Sequence, residues 1–273
     1  MMVLIYPLAY SFYLSFFNMT LYKQAEARFV GLQNYINIMG NKVFWYSTGR
    51  TVYFVLGTVV IEMILGLAIA LVLNEKFRGR AIVRGLVLLP WALPGIVNGV
   101  MWKWIYNANY GALNALLSQL HIISSYKIWL RDPFVALNLV MLANIWKETP
   151  VAIVIILAAL QTIPSELYEA SSIDGANALA KFRWITLPFI TPVIATTFII
   201  KAIWAVKEFD LIYMITRGGP QDGTTIINFF IYLQSFKFLN FSYGSAIAYV
   251  VTLIVIVLAV LFVRRTVMQS IRE

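Results

Sequence analysis

Residues 52–73 read VYFVLGTVVIEMILGLAIALVL, and this stretch is apolar apart from Thr58 and one acidic residue, Glu62. A helix of about 20 apolar residues is long enough to cross the hydrocarbon core of a membrane. Lipid offers no hydrogen-bond partners, so a backbone that crosses it must satisfy its own polar groups, as a helix does. The stretch therefore predicts a membrane-spanning helix.

The composition extends this prediction to the whole chain. Of its 273 residues, 61% are hydrophobic and only 12% are charged, which is too little charge for a soluble domain of this length. The alternation of apolar and polar residues typical of a membrane β-barrel is not seen. We therefore predict an all-α integral membrane protein with a single transmembrane domain over 1–273. Its six predicted spans are 2–20, 47–73, 83–106, 134–160, 188–214 and 244–263.

The polar connections between these spans differ in their basic residues. Cytoplasmic loops of membrane proteins carry an excess of lysine and arginine, and this accounts for the net charge of +9 without nucleic-acid binding. The more densely basic connections alternate along the chain, so we assign them to the cytoplasm, together with both termini. They carry Lys76, Arg78, Arg80 and Arg84, then Lys181 and Arg183, then Arg264, Arg265 and Arg272.

One predicted cytoplasmic connection is too long for a tight turn. Residues 161–187 read QTIPSELYEASSIDGANALAKFRWITL. Pro164 suits the first turn of a helix that ends near Asp174 and Gly175. We predict that Asp174 then caps a second short helix, which begins at Ala176 and ends where Pro188 returns the chain to the membrane. The small residues of this connection would allow a partner protein to approach closely, and the alternative is an amphipathic helix lying on lipid.

The residues of this connection resemble the EAA motif of permease subunits in bacterial binding-protein-dependent ABC importers. Further segments resemble the carbohydrate branch of that family, the maltose-transporter type, over about residues 3–265. One departure is Ser171, where the family often has another small residue. The motif residues are Glu169-Ala170, Asp174-Gly175-Ala176, Phe182, Ile185, Leu187-Pro188 and Pro192, and the further segments are 29–35, 89–94, 146–150, 209–211 and 216–220.

The resemblance implies a fold and a set of partners. The fold is the type I ABC importer permease fold, with a cytoplasmic coupling-helix loop over 161–187. The implied partners are a second, homologous permease subunit, two cytoplasmic ATPase subunits that use ATP and Mg²⁺, and an extracytoplasmic solute-binding protein. The residues that the resemblance assigns to the ATPase contact are Glu169, Ala170, Asp174, Gly175, Ala176 and Phe182.

Signatures of catalysis are missing from the sequence. No lysine is followed by serine or threonine, so the phosphate-binding pattern G-x-x-x-x-G-K-[ST] is absent. The chain has no cysteine and one histidine, His121, in a predicted outer loop. We therefore expect a protein that is not an enzyme and holds neither a metal ion nor a cofactor of its own.

Charges and prolines inside the predicted spans suggest a transport path. An ionisable group at mid-membrane costs about 3 kcal/mol, so such groups should face a cavity or each other, as in a polar path or in pairs between helices. Glu62 and Lys201 are two ionisable residues inside the predicted spans that we do not assign to the path. The predicted path residues are Lys147, Glu148, Trp204, Lys207, Glu208, Phe209, Asp210 and Tyr213, and the predicted hinge residues are Pro90, Pro94 and Pro150.

Several functions remain open from the sequence. The first is the permease of an ATP-driven importer that moves a sugar delivered by an external binding protein. A close alternative is import of glycerol phosphate, because Lys201 and Lys207 could attract an anion. An ion-coupled secondary transporter is a different class, but it would show an internal repeat and would not need the docking connection. A membrane-embedded enzyme would need a clustered nucleophile, base or metal set, which the sequence lacks.

Overall fold

A computed structural model describes residues 2–20 and 27–270 of the chain, so the basic residues Lys23 and Arg272 lie outside the described residues. Helices dominate it, with one short hairpin of β1 (Phe17–Asn18) and β2 (Arg28–Phe29). The helices are α1 (Met2–Leu14), α2 (Gln33–Gly40), α3 (Lys42–Asn74), α4 (Arg80–Val87), α5 (Leu89–Ala92), α6 (Gly95–Ile105), α7 (Ala112–Gln119), α8 (Pro133–Leu160), α9 (Ser165–Ile173), α10 (Ala178–Lys181), α11 (Leu187–Val206), α12 (Ile227–Tyr232) and α13 (Phe241–Ser270).

Helices α3 and α8 form the centre of the bundle and run parallel to each other. Near their beginnings, the Tyr53 hydroxyl donates to the Asn138 side-chain oxygen at 2.8 Å. Further along, a Cβ added to Gly66 would lie 2.9 Å from the Cβ of Ala152, so the backbones pack closely there. Both helices therefore end at the same side of the bundle, which we call the loop end. The opposite side is the far end.

Helix α11 returns from the loop end, and α13 runs back towards it. Lys201, late in α11, lies against the middle of α3 and α8. Tyr243, at the start of α13, accepts a hydrogen bond from Asn41 at the start of α3. The connections after α3, after α8 and at the end of α13 thus share the loop end, which agrees with the alternation predicted from the basic residues.

Among the described residues, four helical segments are long and apolar enough to cross a membrane, or five if a bent pair is one span. The bent pair joins 80–92 to 95–105 at an angle of 92°. Since α3 ends at the loop end and α8 begins at the far end, the chain must pass from one end to the other through this pair. The four single segments are Lys42–Asn74, Pro133–Leu160, Ala178–Val206 and Phe241–Phe262.

These helices confirm the all-α fold and correct two predicted spans. The predicted first span, 2–20, is wrong in extent, because α1 ends at Leu14 and Phe17 already pairs with Phe29 in the hairpin. The predicted fifth span, 188–214, is also misplaced. Its helix begins at Ala178 and ends at Val206, and a separate helical turn follows at 212–216.

Candidate functional site

The connection after α8 folds into a helix, a turn and the beginning of the next span. Helix α9 follows Pro164, has Glu166 in its first turn, and ends before Asp174. Gly175 has a φ of +77°, in the left-handed region that glycine adopts without strain. The predicted helix and its glycine turn are confirmed here.

The second predicted surface helix is wrong in two respects. Its cap is Asn177 rather than Asp174, because the Asn177 side-chain oxygen accepts from the Ala180 N–H at 2.9 Å. It also does not end before the membrane, since α10 continues through a wider turn at 182–186 into α11. Pro188 lies in the first turn of α11, where its missing N–H is tolerated beside the widened turn. The result is one helix of 29 residues.

We call residues 161–177, together with α10, the coupling segment. No residue of α9 or α10 is buried. Large apolar side chains are nevertheless exposed here, since Ile173 is 87% exposed and Leu179 is 73% exposed. Of the predicted contact residues, Ala176 and Phe182 are half-buried, and those exposed are Glu169, Ala170, Asp174 and Gly175. The chain thus offers a surface without a partner in the described residues.

Hydrogen bonds fix α9 to the start of the 29-residue helix. The hydroxyls of Tyr168 and Thr186 lie 2.9 Å apart. Lys181 donates from Nζ to the Ser172 hydroxyl at 2.6 Å. Helix α9 is therefore tied both to α10 and to the widened turn that precedes α11.

A second candidate site lies inside the bundle, where three spans bring charges together. Lys201 of α11 donates from Nζ to the Glu148 carboxylate of α8 at 2.8 Å and lies 3.1 Å from the Glu62 carboxylate of α3. Both Lys201 and Glu62 have side chains only 1% exposed. The Lys147 ammonium binds the other oxygen of Glu148 at 2.6 Å. We call Glu62, Glu148 and Lys201 the buried ion cluster.

A cavity of about 30 Å³ opens beside the buried ion cluster. On its other side, Asn144 donates to the Glu208 carboxylate at 3.0 Å, and Glu208 also accepts from the Leu211 N–H at 2.9 Å. The Trp204 ring also lines the cavity, and the centroid of the ring lies 5.4 Å from Lys201 Nζ. Such a cavity has room for one small polar group. Its lining residues are Glu62, Asn144, Glu148, Lys201, Trp204, Ala205 and Glu208.

The structure divides the predicted path residues. It brings Glu148, Trp204 and Glu208 together at the cavity. Phe209 and Tyr213 stack on each other 5.4 Å apart and pack against aromatic residues of α12. The Asp210 carboxylate contacts Gly95 at the start of α6. The remaining two lie apart, with Lys147 beside Glu148 and Lys207 in a groove near Asn228.

The predicted hinge prolines also differ among themselves. Pro94 is the residue before α6, at the 92° bend, and Pro90 lies in the short α5 just before it. Pro150, by contrast, is buried within α8, which continues through it. The observed break in the backbone is therefore at Pro94.

Sequence reasoning did not find Asn144. Asn144 is uncharged, so the cost of a charge in the membrane does not single it out among the residues of α8. The signal was its position, since Asn144 precedes Glu148 by one helical turn and so lies on the same face of α8. Within the described ranges, no group of three or more histidine, aspartate or glutamate side chains could hold a metal ion.

Comparisons with known proteins agree with this architecture. The family model described as "Binding-protein-dependent transport system inner membrane component" matches residues 52–273. The chain is 40% identical over 242 residues to the trehalose/maltose transport system permease protein of Thermococcus litoralis, covering 88% of this chain and 80% of that protein. It is 37% identical over 249 residues to the sulfoquinovosyl glycerol transport system permease protein of Agrobacterium fabrum, covering 91% and 80%.

A solved structure shows the same fold. A chain in the crystal structure of a bacterial alginate ABC transporter, in complex with an alginate pentasaccharide-bound periplasmic protein, matches with a TM-score of 0.82 at 21% identity. The match covers 96% of this chain and 88% of that one. The resemblance drawn from the motif residues is thereby confirmed. This multi-pass membrane protein belongs to the family of binding-protein-dependent transport system inner membrane components.

Proposed function

We propose that the chain is the permease subunit of an ATP-driven importer that moves a sugar across the membrane. Its relatives are named for the transport of trehalose, maltose and sulfoquinovosyl glycerol. In this proposal the chain binds no nucleotide. A separate pair of ATPase subunits supplies the energy from ATP and Mg²⁺, an external binding protein delivers the sugar, and a second homologous permease completes the path.

The observation that carries the proposal is one helix that links the two candidate sites. From Ala178 to Val206 it has 29 residues, and at 1.5 Å per residue it is about 44 Å long. Helix α9 is fixed to the beginning of this 29-residue helix, and Lys201 and Trp204 lie near the end of the same helix. A displacement imposed on the segment would therefore reach the cavity through a single continuous helix, which supports two-state coupling between the two sites.

The coupling segment suits contact with an ATPase. Its exposed apolar side chains, Ile173 and Leu179, would be covered on docking, and the turn at Gly175 has open space around the position of a Cβ. An exposed apolar patch of this kind marks an interaction surface. The proposal puts the loop end in the cytoplasm, where the basic connections lie, and hence both termini there as well.

The side chains that line the internal cavity, rather than its present volume of about 30 Å³, favour a neutral sugar. Trp204 is 41% exposed and offers a ring face for stacking, while Asn144 and Glu208 offer groups that bind hydroxyls. The cavity offers less to glycerol phosphate, which would need a cation to bind its phosphate. The nearest cation, Lys201, already forms ion pairs with Glu62 and Glu148, and Lys147 is paired with Glu148.

The test is transport by the reconstituted importer. The chain, its cognate ATPase and its second permease are placed in liposomes, and sugar uptake and ATP hydrolysis are measured with the binding protein present. Glu169→Ala and Gly175→Asp are expected to abolish uptake and to weaken retention of the ATPase, while membrane insertion is unchanged. Glu75→Ala is the matched control, an exposed carboxylate at the same end of the bundle that should leave uptake intact. Normal uptake by Gly175→Asp would overturn the docking role.

A further inference from the structure

The connection between α3 and α4 carries basic residues that no part of the mechanism uses. Lys76 and Arg78 are exposed, and within the described residues no carboxylate forms an ion pair with either. With Phe77 and Arg80 they line a surface depression of about 300 Å³. The one nearby acidic residue in the sequence, Glu75, leaves the stretch 75–84 with an excess of positive charge.

Helix α4, which follows, is amphipathic and has no buried residue. One face binds the end of α3, where the Arg84 guanidinium donates to the Leu73 carbonyl at 2.9 Å and Arg80 donates to the Asn74 carbonyl at 3.3 Å. The other face is apolar and exposed, with Ile82 at 70% and Leu86 at 57%. The arginines thus hold the helix in place while its apolar row faces outward.

The location of this segment is that of a membrane surface. α3 is an apolar span that ends at Asn74, so the residues just beyond it lie at the level of the lipid headgroups. Helix α6 packs along α8 in the opposite direction. Asn98 donates a hydrogen bond to the Ala143 carbonyl, and Tyr106 donates one to the Leu139 carbonyl. Because 80–92 is bent 92° from α6, the axis of α4 runs across the direction of the spans, as in a helix that lies along a membrane surface.

We propose that residues 75–86 form a binding site for an anionic phospholipid. Lys76, Arg78 and Arg80 bind the headgroup phosphate in the depression, and the acyl chains pack along Ile82 and Leu86. Each cation next to a span raises the binding constant for anionic lipid about fivefold. The exposed apolar row adds a surface for acyl chains, which a free anion lacks. This site is independent of the sugar path and of the ATPase contact.

The test uses the full chain in nanodiscs that contain equal amounts of phosphatidylcholine and phosphatidylglycerol. Native mass spectrometry then measures which lipid the released protein retains. The wild-type protein is expected to prefer phosphatidylglycerol, and Lys76→Gln with Arg78→Gln should reduce that preference at least fivefold. Both side chains are exposed and neither makes a hydrogen bond that the fold needs, so the variant should fold. Lys103→Gln with Lys237→Gln, exposed lysines on elements near the far end, is the matched control and should change the preference less than twofold.

Two further arms separate the sources of the anion. Ile82→Gln should lower the retention of phosphatidylglycerol without removing any charge, because it interrupts the apolar row. Millimolar inorganic phosphate should not displace the lipid. The proposal is overturned if the wild-type protein shows no preference, if the basic variant keeps it, or if phosphate alone removes it, since the last result would mean a site for free anions.

Discussion

The buried ion cluster and the coupling segment are opposite solutions to the same problem of polar groups in an apolar protein. In the cluster, Lys201 is surrounded by carboxylates from two other spans and is shielded from solvent. In the coupling segment, α9 buries no residue and exposes both its carboxylates and large apolar side chains. The charges of the cluster pair with one another within the chain, whereas the exposed side chains of the coupling segment are the ones that the proposed function assigns to a partner. The difference indicates which charges hold the fold together and which serve an interaction.

The largest expected effect comes from breaking the cluster. Lys201→Met leaves Glu62 as a buried carboxylate without its cation, and such a change costs about 3–5 kcal/mol. The thermal unfolding midpoint in detergent, together with the yield of monodisperse protein, should fall sharply. Adding Glu62→Gln should restore much of the loss, because the unpaired charge is then gone. Equal loss in the single and the double variant would mean that Lys201 acts through its own packing instead.

A smaller effect is expected where the spans that carry the cluster touch. In Gly66→Leu the new side chain meets Ala152, whose Cβ lies 2.9 Å from the first added atom, and overpacking of this kind costs about 1–3 kcal/mol. Gly49→Leu, on the same helix, is the control, because a Cβ there meets no atom within 4 Å. The unfolding midpoints of the two variants measure the difference. If both fall alike, close packing of α3 on α8 is not what holds the cluster.

In the coupling segment, the expected effect is on coupling rather than on folding. Tyr168→Phe removes the hydroxyl that lies 2.9 Å from Thr186, a hydrogen bond worth about 1 kcal/mol. We expect unchanged insertion, with less uptake per ATP hydrolysed, because α9 is then held less firmly against the 29-residue helix. Thr186→Val should give the same loss, and the double variant no more than either alone. Additive losses would show that the two hydroxyls act separately.

The smallest expected effect distinguishes two residues of the segment. Asn177→Ala removes the cap of α10, at a cost of about 1 kcal/mol, and should increase protease cleavage within the segment. Asp174→Ala should not increase cleavage, because the cap of α10 is Asn177 and Asp174 ends α9 through its backbone N–H, which alanine keeps. The opposite result would restore the predicted capping role of Asp174.

Much of this comparison could be predicted from the sequence. Long apolar runs fixed the spans 47–73, 134–160 and 244–263 to within a few residues, because the period and length of such runs reflect the membrane itself. The glycine turn was predictable because the pair Asp174-Gly175 favours a turn, and glycine adopts the left-handed backbone of that turn without strain. The start of the 29-residue helix was not. Pro188 signalled a boundary, but a widened turn before it allowed the helix to continue.

The cavity was harder to predict than the coupling segment. The segment is contiguous in the sequence, so its motif could be read directly. The cavity is lined by one residue of α3, two of α8 and three of α11, with Glu208 just beyond α11, and only the packing of α11 against α3 and α8 brings Glu62, Asn144 and Lys201 together. Five of the eight predicted path residues lie outside the cavity lining. Lys147 is one of them, and the other four follow Trp204 closely in the sequence without sharing its face: Lys207, Phe209, Asp210 and Tyr213.

The most direct test of the proposed coupling is a single-cysteine crosslink, for which the chain is suited because it has no native cysteine. Ala170→Cys in the assembled importer is treated with a short crosslinker, and Gln119→Cys, exposed on α7 away from the loop end, serves as the control. The account predicts a crosslink from position 170 to the ATPase subunit, with a yield that changes on addition of ATP, and none from position 119. A crosslink from position 119 and none from position 170 would contradict it.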